Sequence, residues 1–152
     1  MMVNLDLKLT CAIARSTHLL GDKWSLLILR DMLLHKKSRF KEFMESKEKI
    51  ATNILTNRIK SLTNADLIVL LDRNSTKKSR QYIATQKGIS TLPIILELYM
   101  FSIKDINESV LNDQQIQIKK QIMSNSENFV NSKRIGYMAF KKDLLSKVIE
   151  HK

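Results

Sequence analysis

The sequence contains little cysteine, glycine or proline. Its single cysteine, Cys11, excludes a disulfide within the chain and, by itself, a thiolate metal site. Three glycines and one proline favour a helix-rich fold and leave no glycine-rich loop that could hold a phosphate. His18 and His35 lack partners at metal-ligand spacing, and no nucleophile stands with a base. We therefore expect no metal, no cofactor and no catalytic residues.

Acidic residues are also scarce. The 152 residues include 26 Lys and Arg but only 15 Asp and Glu, so the formal net charge is +11 and the pI is near 9.8. This excess favours a polyanionic partner, either nucleic acid or an anionic membrane surface. No apolar run approaches the ~20 residues that cross a bilayer, and the N-terminus lacks a signal-peptide pattern. We expect a cytoplasmic protein that does not act at a membrane.

The first third of the chain predicts three helices. Apolar residues between Leu9 and Leu20 recur at helical spacing and indicate a short first helix. Asp22 can cap a second helix from Trp24 to Leu34, whose apolar side chains face all round the axis, as in a central helix. A third, short helix is indicated by an apolar face made by Phe40, Phe43 and Met44.

The helix predicted from Thr52 to Leu62 has two different faces. Its apolar side chains share one side of a helical wheel, and these are Ala51, Leu55, Ile59 and Leu62. The polar side is rich in groups that read bases: Asn can bond adenine twice, Lys reaches guanine or phosphate, and Thr permits close approach. On periodicity alone, an ordinary amphipathic surface helix is the better interpretation. The residues assigned to DNA contact are Thr52, Asn53, Thr56, Asn57 and Lys60, with Arg58 at the edge to hold a phosphate or pair with an acid.

A basic hairpin follows this helix. Leu67 to Leu71 and Tyr82 to Ala84 predict two strands that are joined by a polar segment. Residues 73 to 87 include five basic side chains and no acid, which favours contact with a phosphate backbone over a merely solvated loop. The residues assigned to phosphate contact are Lys77, Lys78 and Arg80 in this wing and Arg39 before the short third helix.

The rest of the chain predicts further helices. Apolar residues recur from Leu92 to Ile106, where Pro93 is expected to bend or interrupt the helix. A more polar stretch then precedes a last amphipathic helix near Tyr137 to Ile149. We place the domain boundaries at 1–106 for the DNA-binding unit and 107–152 for a helical extension, which packs on the same unit or on a partner subunit.

Several motifs between residues 8 and 105 occur in a characteristic order. They are Cys11 to Arg15, Gly21-Asp22-Lys23-Trp24-Ser25-Leu26-Leu27-Ile28-Leu29-Arg30-Asp31, Arg39 to Phe43, Ile50 to Lys60, Tyr82 to Gly88 and Pro93 to Leu98. This series resembles the HxlR family of bacterial transcription regulators, which have a MarR-like architecture. The resemblance implies a mainly α fold with a small β-hairpin wing, that is, a winged helix-turn-helix with extra N- and C-terminal dimerisation helices.

The resemblance also implies partners and a regulatory residue. The expected protein is a homodimer that binds double-stranded DNA at a pseudo-palindromic operator, with the first helix and the helix from Leu92 to Ile106 at the dimer interface. Some relatives sense oxidants through an N-terminal cysteine, and Cys11 matches that position, with Arg15 placed to favour the thiolate. The alternative is a buried, inert cysteine. Asp66 stands where the family usually has glycine before the strand.

The features together predict a sequence-specific transcription regulator, with helix 52–62 in the major groove and wing 73–81 on the flanking backbone. The alternative is a winged-helix module that binds nucleic acid or protein without operator specificity. An effector, either a small molecule or an oxidant, is compatible with the sequence but not identified by it.

Overall fold

The computed structural model describes residues 10–151. Its elements in chain order are α1 (Ala12–Leu20), α2 (Lys23–His35), α3 (Phe40–Met44), α4 (Thr52–Asn64), β1 (Ile68–Leu70), β2 (Tyr82–Ala84), α5 (Gln86–Ile89), α6 (Leu92–Ile103), a 3₁₀ turn (Glu108–Val110), α7 (Asp113–Ser124) and α8 (Ser126–Glu150). The predicted start of the first helix, before Thr10, lies outside the described residues. The fold is the expected one, mainly helical with a two-stranded antiparallel wing.

Helix α2 is the centre of the core, as its pattern predicts. It contacts α4, β2, α6 and α8, and its buried side chains include Ile28, Leu29, Met32 and Leu33. The helix begins where predicted, because the Asp22 carboxylate accepts hydrogen bonds from the backbone N–H groups of Trp24 at 2.9 Å and Ser25 at 3.0 Å. The same helix therefore supports both the helix-turn-helix and the C-terminal helices.

The two strands form the base of the wing. They are antiparallel, with the register Ile68 opposite Ala84, Val69 opposite Ile83 and Leu70 opposite Tyr82. Asp66, which precedes β1, has a φ of 59°. This left-handed conformation is easiest for glycine, and aspartate tolerates it better than most other residues. The turn before β1 therefore forms even though aspartate replaces glycine.

Side chains of α8 complete the hydrogen bonding along the outer edge of β2. The Ala84 N–H donates to Tyr137 Oη at 2.8 Å, and Lys141 Nζ donates to the Ala84 carbonyl oxygen at 2.7 Å. Tyr137 is only 1% exposed, and burial raises the pKa of its phenol. Burial also lowers the pKa of Lys141. These contacts attach the long C-terminal helix to the wing of its own chain.

The C-terminal helices differ from their predicted bounds. Helix α8 begins at Ser126, not near Tyr137, and the Asn125 side chain caps it by accepting from the Asn128 N–H at 3.0 Å. The Ser- and Asn-rich stretch is therefore helical; such residues favour caps and turns, which obscured the helical pattern. Pro93 lies in the first turn of α6, where proline is tolerated, so it neither bends nor interrupts that helix.

The predicted helix from Leu92 to Ile106 ends at Ile103. Helix α8 packs on α2 and α6, α7 packs on α8, and Ile122 of α7 belongs to the main hydrophobic core. The division of the chain at residue 106 stays a prediction. Within residues 10–151, no helix is long and apolar enough to cross a membrane.

Candidate nucleic-acid interface

The polar face of α4 is exposed and its opposite face lies in the core. Leu55, Ile59 and Leu62 are buried, whereas all five predicted contact residues are exposed, namely Thr52, Asn53, Thr56, Asn57 and Lys60. The Thr56 hydroxyl donates to the Thr52 carbonyl oxygen at 2.9 Å. Among residues 10–151, none forms a side-chain hydrogen bond or ion pair with Asn53, Asn57 or Lys60. This face therefore offers amide and ammonium groups to an external partner.

At the N-terminus of α4, one residue departs from the position that the helical wheel predicts. Ala51 was expected on the packing side, but it is exposed as the N-cap residue of α4. An N-cap residue has extended backbone, so its side chain does not follow the helical period. The prediction for Ala51 was wrong for that reason.

Arg58 lies at the edge of the exposed face. It is half-buried, and its Nη1 is 4.0 Å from Oδ2 of Asp22, the residue that caps α2. A partly exposed pair at this distance stabilises a fold weakly. The guanidinium therefore remains available at the surface, and contact of Arg58 with phosphate stays a prediction.

The tip of the wing presents two lysines. Lys77 and Lys78 are exposed, whereas Arg80 is half-buried. The Nε atom of Arg80 is enclosed and has no hydrogen-bond acceptor among residues 10–151. Desolvation without an acceptor is unfavourable, so Arg80 has a structural environment that the two lysines do not share.

Arg39 lies beside the wing, whereas Lys87 does not belong to it. The backbone of Arg39 forms an isolated antiparallel β-bridge with Gln81, and its Nη1 donates to the Ser79 carbonyl oxygen at 3.3 Å. Lys87 lies on α5, where its Nζ donates to the Ala65 carbonyl oxygen at 3.0 Å. Of the five basic residues counted in the hairpin, four therefore belong to the wing.

A model of the HxlR-like helix-turn-helix family matches residues 19–110, more than half of the chain. The chain belongs to the HxlR family. Its members are DNA-binding transcription regulators and are not enzymes, so this HxlR protein is a DNA-binding transcription regulator. The family and the fold predicted from the sequence are thereby confirmed.

Solved structures give the same result. The HxlR protein is similar to PA1607, a candidate transcription factor, with 28% identity over 69% of this chain and 72% of PA1607 and a TM-score of 0.60. It is also similar to the reduced form of YodB, a transcriptional regulator of B. subtilis, with 27% identity over 60% of this chain and 90% of YodB and a TM-score of 0.50. No curated protein sequence matches the chain.

An ionic network behind the helix-turn-helix of this HxlR protein was not predicted from the sequence. The carboxylate of Asp31 is only 4% exposed; it accepts from Arg30 at 2.7 Å, from Lys37 Nζ at 3.1 Å and from the Ser46 hydroxyl. Arg30 also donates to both carboxylate oxygens of Glu48, at 2.7 and 3.0 Å. The network joins α2 to the segment before α4. The adjacent charged residues Arg30 and Asp31 in a mostly apolar helix could have indicated this network from the sequence.

Cys11 is the N-cap residue of α1 and is exposed in the single chain. The Arg15 backbone N–H donates to its carbonyl oxygen at 3.1 Å, as expected for the first turn of a helix. The alternative of a buried thiol does not hold within the single chain. Among residues 10–151, no group of His, Cys, Asp and Glu could hold a metal ion.

Proposed function

We propose that this HxlR protein acts as a homodimer on a pseudo-palindromic operator and that α4 reads bases in the major groove. The observation that carries the proposal is the exposed face of α4, where Asn53, Asn57 and Lys60 have no partner within residues 10–151. Amide side chains read adenine by two hydrogen bonds, and lysine reaches guanine or phosphate. The interval of four residues places both amides on the same side of the helix, so both can face one groove.

Contacts with the DNA backbone are assigned to the wing and its neighbour. Lys77 and Lys78 are exposed at the tip, and Arg39 lies beside the base of the wing. Phosphate contacts fix the orientation of a protein on DNA and add affinity, but they carry little sequence information. Arg58 and Arg80 have the same assignment, each with part of its side chain buried.

Dimerisation is supported by an exposed apolar face on α6. Ile94, Leu98 and Phe101 are 42%, 48% and 80% exposed in the single chain. Exposed apolar side chains that cluster on one helix face mark an interaction surface. A second copy of the chain is the proposed occupant, since two copies present the two recognition helices that a palindromic site needs.

Oxidant sensing by Cys11 is a further proposal about the same dimer. Its support is the exposure of Cys11 at the start of α1, together with the likeness to YodB, which was solved in a reduced form. Because the chain has one cysteine, a disulfide could form only with a second chain or with a small thiol. The thiolate would be the reacting form.

The base-reading role of α4 predicts a loss of selectivity when its polar face is removed. Asn57→Ala with Lys60→Ala should reduce the ratio of operator to random-DNA affinity about 30-fold or more, because each of the two base contacts discriminates by about 1–3 kcal/mol. The operator is first obtained by selection of bound sequences from random DNA. Fluorescence anisotropy then measures both affinities, and circular dichroism verifies the fold.

Gln117→Ala with Lys120→Ala is the matched control. It removes an exposed amide and an exposed lysine at the same spacing from α7, and it should leave selectivity unchanged. Selectivity that persists in the α4 variant would contradict the proposal. If the unaltered protein binds random and selected DNA equally, the alternative module without operator specificity is correct.

A further inference from the structure

A cavity of about 400 Å³ lies between α2, α6, α7 and α8. Its volume falls in the range of roughly 300–1,000 Å³ that is typical of small-molecule sites. Apolar side chains make most of its wall, and a few polar groups open onto it. The residues that matter for its chemistry are Leu34, Ile95, Tyr99, Ile118, Phe129 and Lys133.

The charges around this cavity favour an anion. None of the acidic residues between positions 10 and 151 lines it. Arg30 reaches it, but the guanidinium is paired with Asp31 and Glu48. Burial lowers the pKa of His35 from its usual value, which disfavours a positive charge on its imidazole. Lys133 is therefore the uncompensated cation, because none of the ion pairs within residues 10–151 includes it.

Lys133 is placed between the apolar wall and the solvent. Its Nζ is 5.4 Å from the centre of the Phe129 ring, and both side chains line the cavity. A phenyl ring attracts an ammonium group weakly and carries no counter-charge, so the ammonium can still bind an anion. The phenol of Tyr99 has no hydrogen-bond partner within residues 10–151, and partial burial raises its pKa, so it is a neutral donor.

We propose that this cavity binds a small amphipathic carboxylate, with the carboxylate at Lys133 and the apolar part against Ile95 and Ile118, and that binding is transmitted along α8 to the wing. A regulatory role for this site depends on the proposed operator binding. The binding of the carboxylate and its effect on the wing do not depend on operator binding.

The link is a single face of one helix. Val130 and Lys133 line the cavity, and Tyr137 and Lys141 follow at intervals of four residues, so the side chains share one face of α8. Tyr137 and Lys141 hold the N–H and the carbonyl oxygen of Ala84 in β2. A ligand that displaces α8 at the cavity therefore also displaces the groups that fix the edge of the wing.

Binding can be tested without DNA. Benzoate, 2-naphthoate and octanoate are titrated into the isotopically labelled protein and followed by backbone amide NMR, with the three primary amides as uncharged counterparts. At least one carboxylate should bind saturably, shift the amides of α6, α7 and the start of α8, and bind about tenfold more tightly than its amide. Lys133→Met should abolish that preference. Lys142→Met, which removes an exposed lysine from the same helix, should not.

The link to the wing needs its own variant. The same titration should shift the Ala84 amide in the unaltered protein, although this residue does not line the cavity. Tyr137→Phe removes the acceptor of the Ala84 N–H. It should bind the carboxylate with a similar Kd and lose most of the shift at Ala84.

Four results would overturn these inferences. If no carboxylate binds saturably, or if the shifted amides map to the exposed face of α6, the cavity is not the site. If a carboxylate and its amide bind with equal affinity, the proposal that the cavity prefers an anion is wrong. If the cavity amides shift and Ala84 does not, transmission along α8 is wrong. Failure of operator selectivity would leave all three measurements unaffected, so the two proposals fail separately.

Discussion

Arg30 joins two carboxylates of unequal exposure. The carboxylate of Asp31 is 4% exposed and that of Glu48 is 32% exposed. Hydrogen bonds from the Arg30 guanidinium lower the pKa of Glu48 from 4.5 to about 2. Since Glu48 lies between α3 and α4, this residue contributes to the position at which α4 begins. Glu48 lies outside the proposed interface, but it supports α4, the helix that bears most of that interface.

The pH dependence of stability tests this contact. Because the pKa of Glu48 is lower in the folded chain than in the unfolded chain, unfolding takes up a proton between about pH 4.5 and 2. The stabilisation is present above this window and is lost as the pH falls through it. At pH 7, Glu48→Gln should lower the free energy of unfolding by about 1 kcal/mol, the upper value for a partly exposed pair. The difference in the free energy of unfolding between the variant and the unaltered protein should become smaller toward pH 3.

Urea unfolding followed by circular dichroism from pH 7 to pH 3 measures the effect. Glu45→Gln is the matched control, because Glu45 is exposed and forms no ion pair with any residue from 10 to 151. A difference between Glu48→Gln and the unaltered protein that stays constant with pH would show that the ion pair is not its cause.

The helix α4 and the wing are separate elements with different chemistry. The exposed side of α4 carries amides, whereas the wing tip carries lysines. A hydrogen bond from Arg39 to the Ser79 carbonyl oxygen fixes the residue before α3 against the wing. Because the exposed amides and the exposed lysines lie on different elements, each set can be altered by its own substitutions, and each alteration has its own measurable consequence.

The wing should contribute to the salt dependence of binding. Lys77→Ala with Lys78→Ala should reduce the slope of log K against log salt by about 4 for the dimer, since two lysines are lost from each subunit and each phosphate contact contributes about 0.9. Operator selectivity should change little, because phosphate contacts carry little sequence information. Arg80 is left intact, because its enclosed Nε makes a change there affect the fold as well. Affinities at several salt concentrations give the slope.

Lys104→Ala with Lys120→Ala removes the same charge from the C-cap of α6 and from α7 and serves as the control; both lysines are exposed. It should leave the slope near its original value. An equal decrease in both variants would indicate a general charge effect, and an unaltered slope in the wing variant would remove the wing from the interface.

Elements with a local pattern were predictable from the sequence. The exposed and buried faces of α4 follow from a 3.6-residue period, and the cap of α2 follows from Asp22 before an apolar run. The contact of Tyr137 with Ala84 joins residues 53 positions apart, and no local pattern reports such a pair. Gly88 is similar: a Cβ there would lie 2.0 Å from the Leu67 carbonyl oxygen, a reason visible only in the fold.

At the level of the whole molecule, α6 separates two apolar environments. Leu92, Ile95 and Leu96 are buried on the side of the core and the cavity, whereas Leu98 and Phe101 are exposed on the other side. A helix that is apolar all round is covered on every side in its functional form. The single chain covers one side, so a second copy is the simplest cover for the other. A ligand in the cavity would then lie one helix away from the dimer interface.

Dimerisation through this face predicts a monomer when charge is introduced there. Leu98→Glu with Phe101→Glu would place two carboxylates on each side of a two-fold interface, where burial of unpaired charge is strongly unfavourable. Sedimentation equilibrium should give 17.6 kDa for this variant and twice that mass for the unaltered protein. Val110→Glu, which adds charge at a side chain 73% exposed outside α6, should remain dimeric.

The monomer also separates dimerisation from base reading. Its α4 face is unchanged, so it should still prefer a half-site over random DNA, while its affinity for the full operator should fall because one helix no longer positions the other one helical turn away. A variant that stays dimeric would move the interface from α6 to another surface. A monomer with full operator affinity would show that one recognition helix is enough, and the palindrome would then have no role in binding.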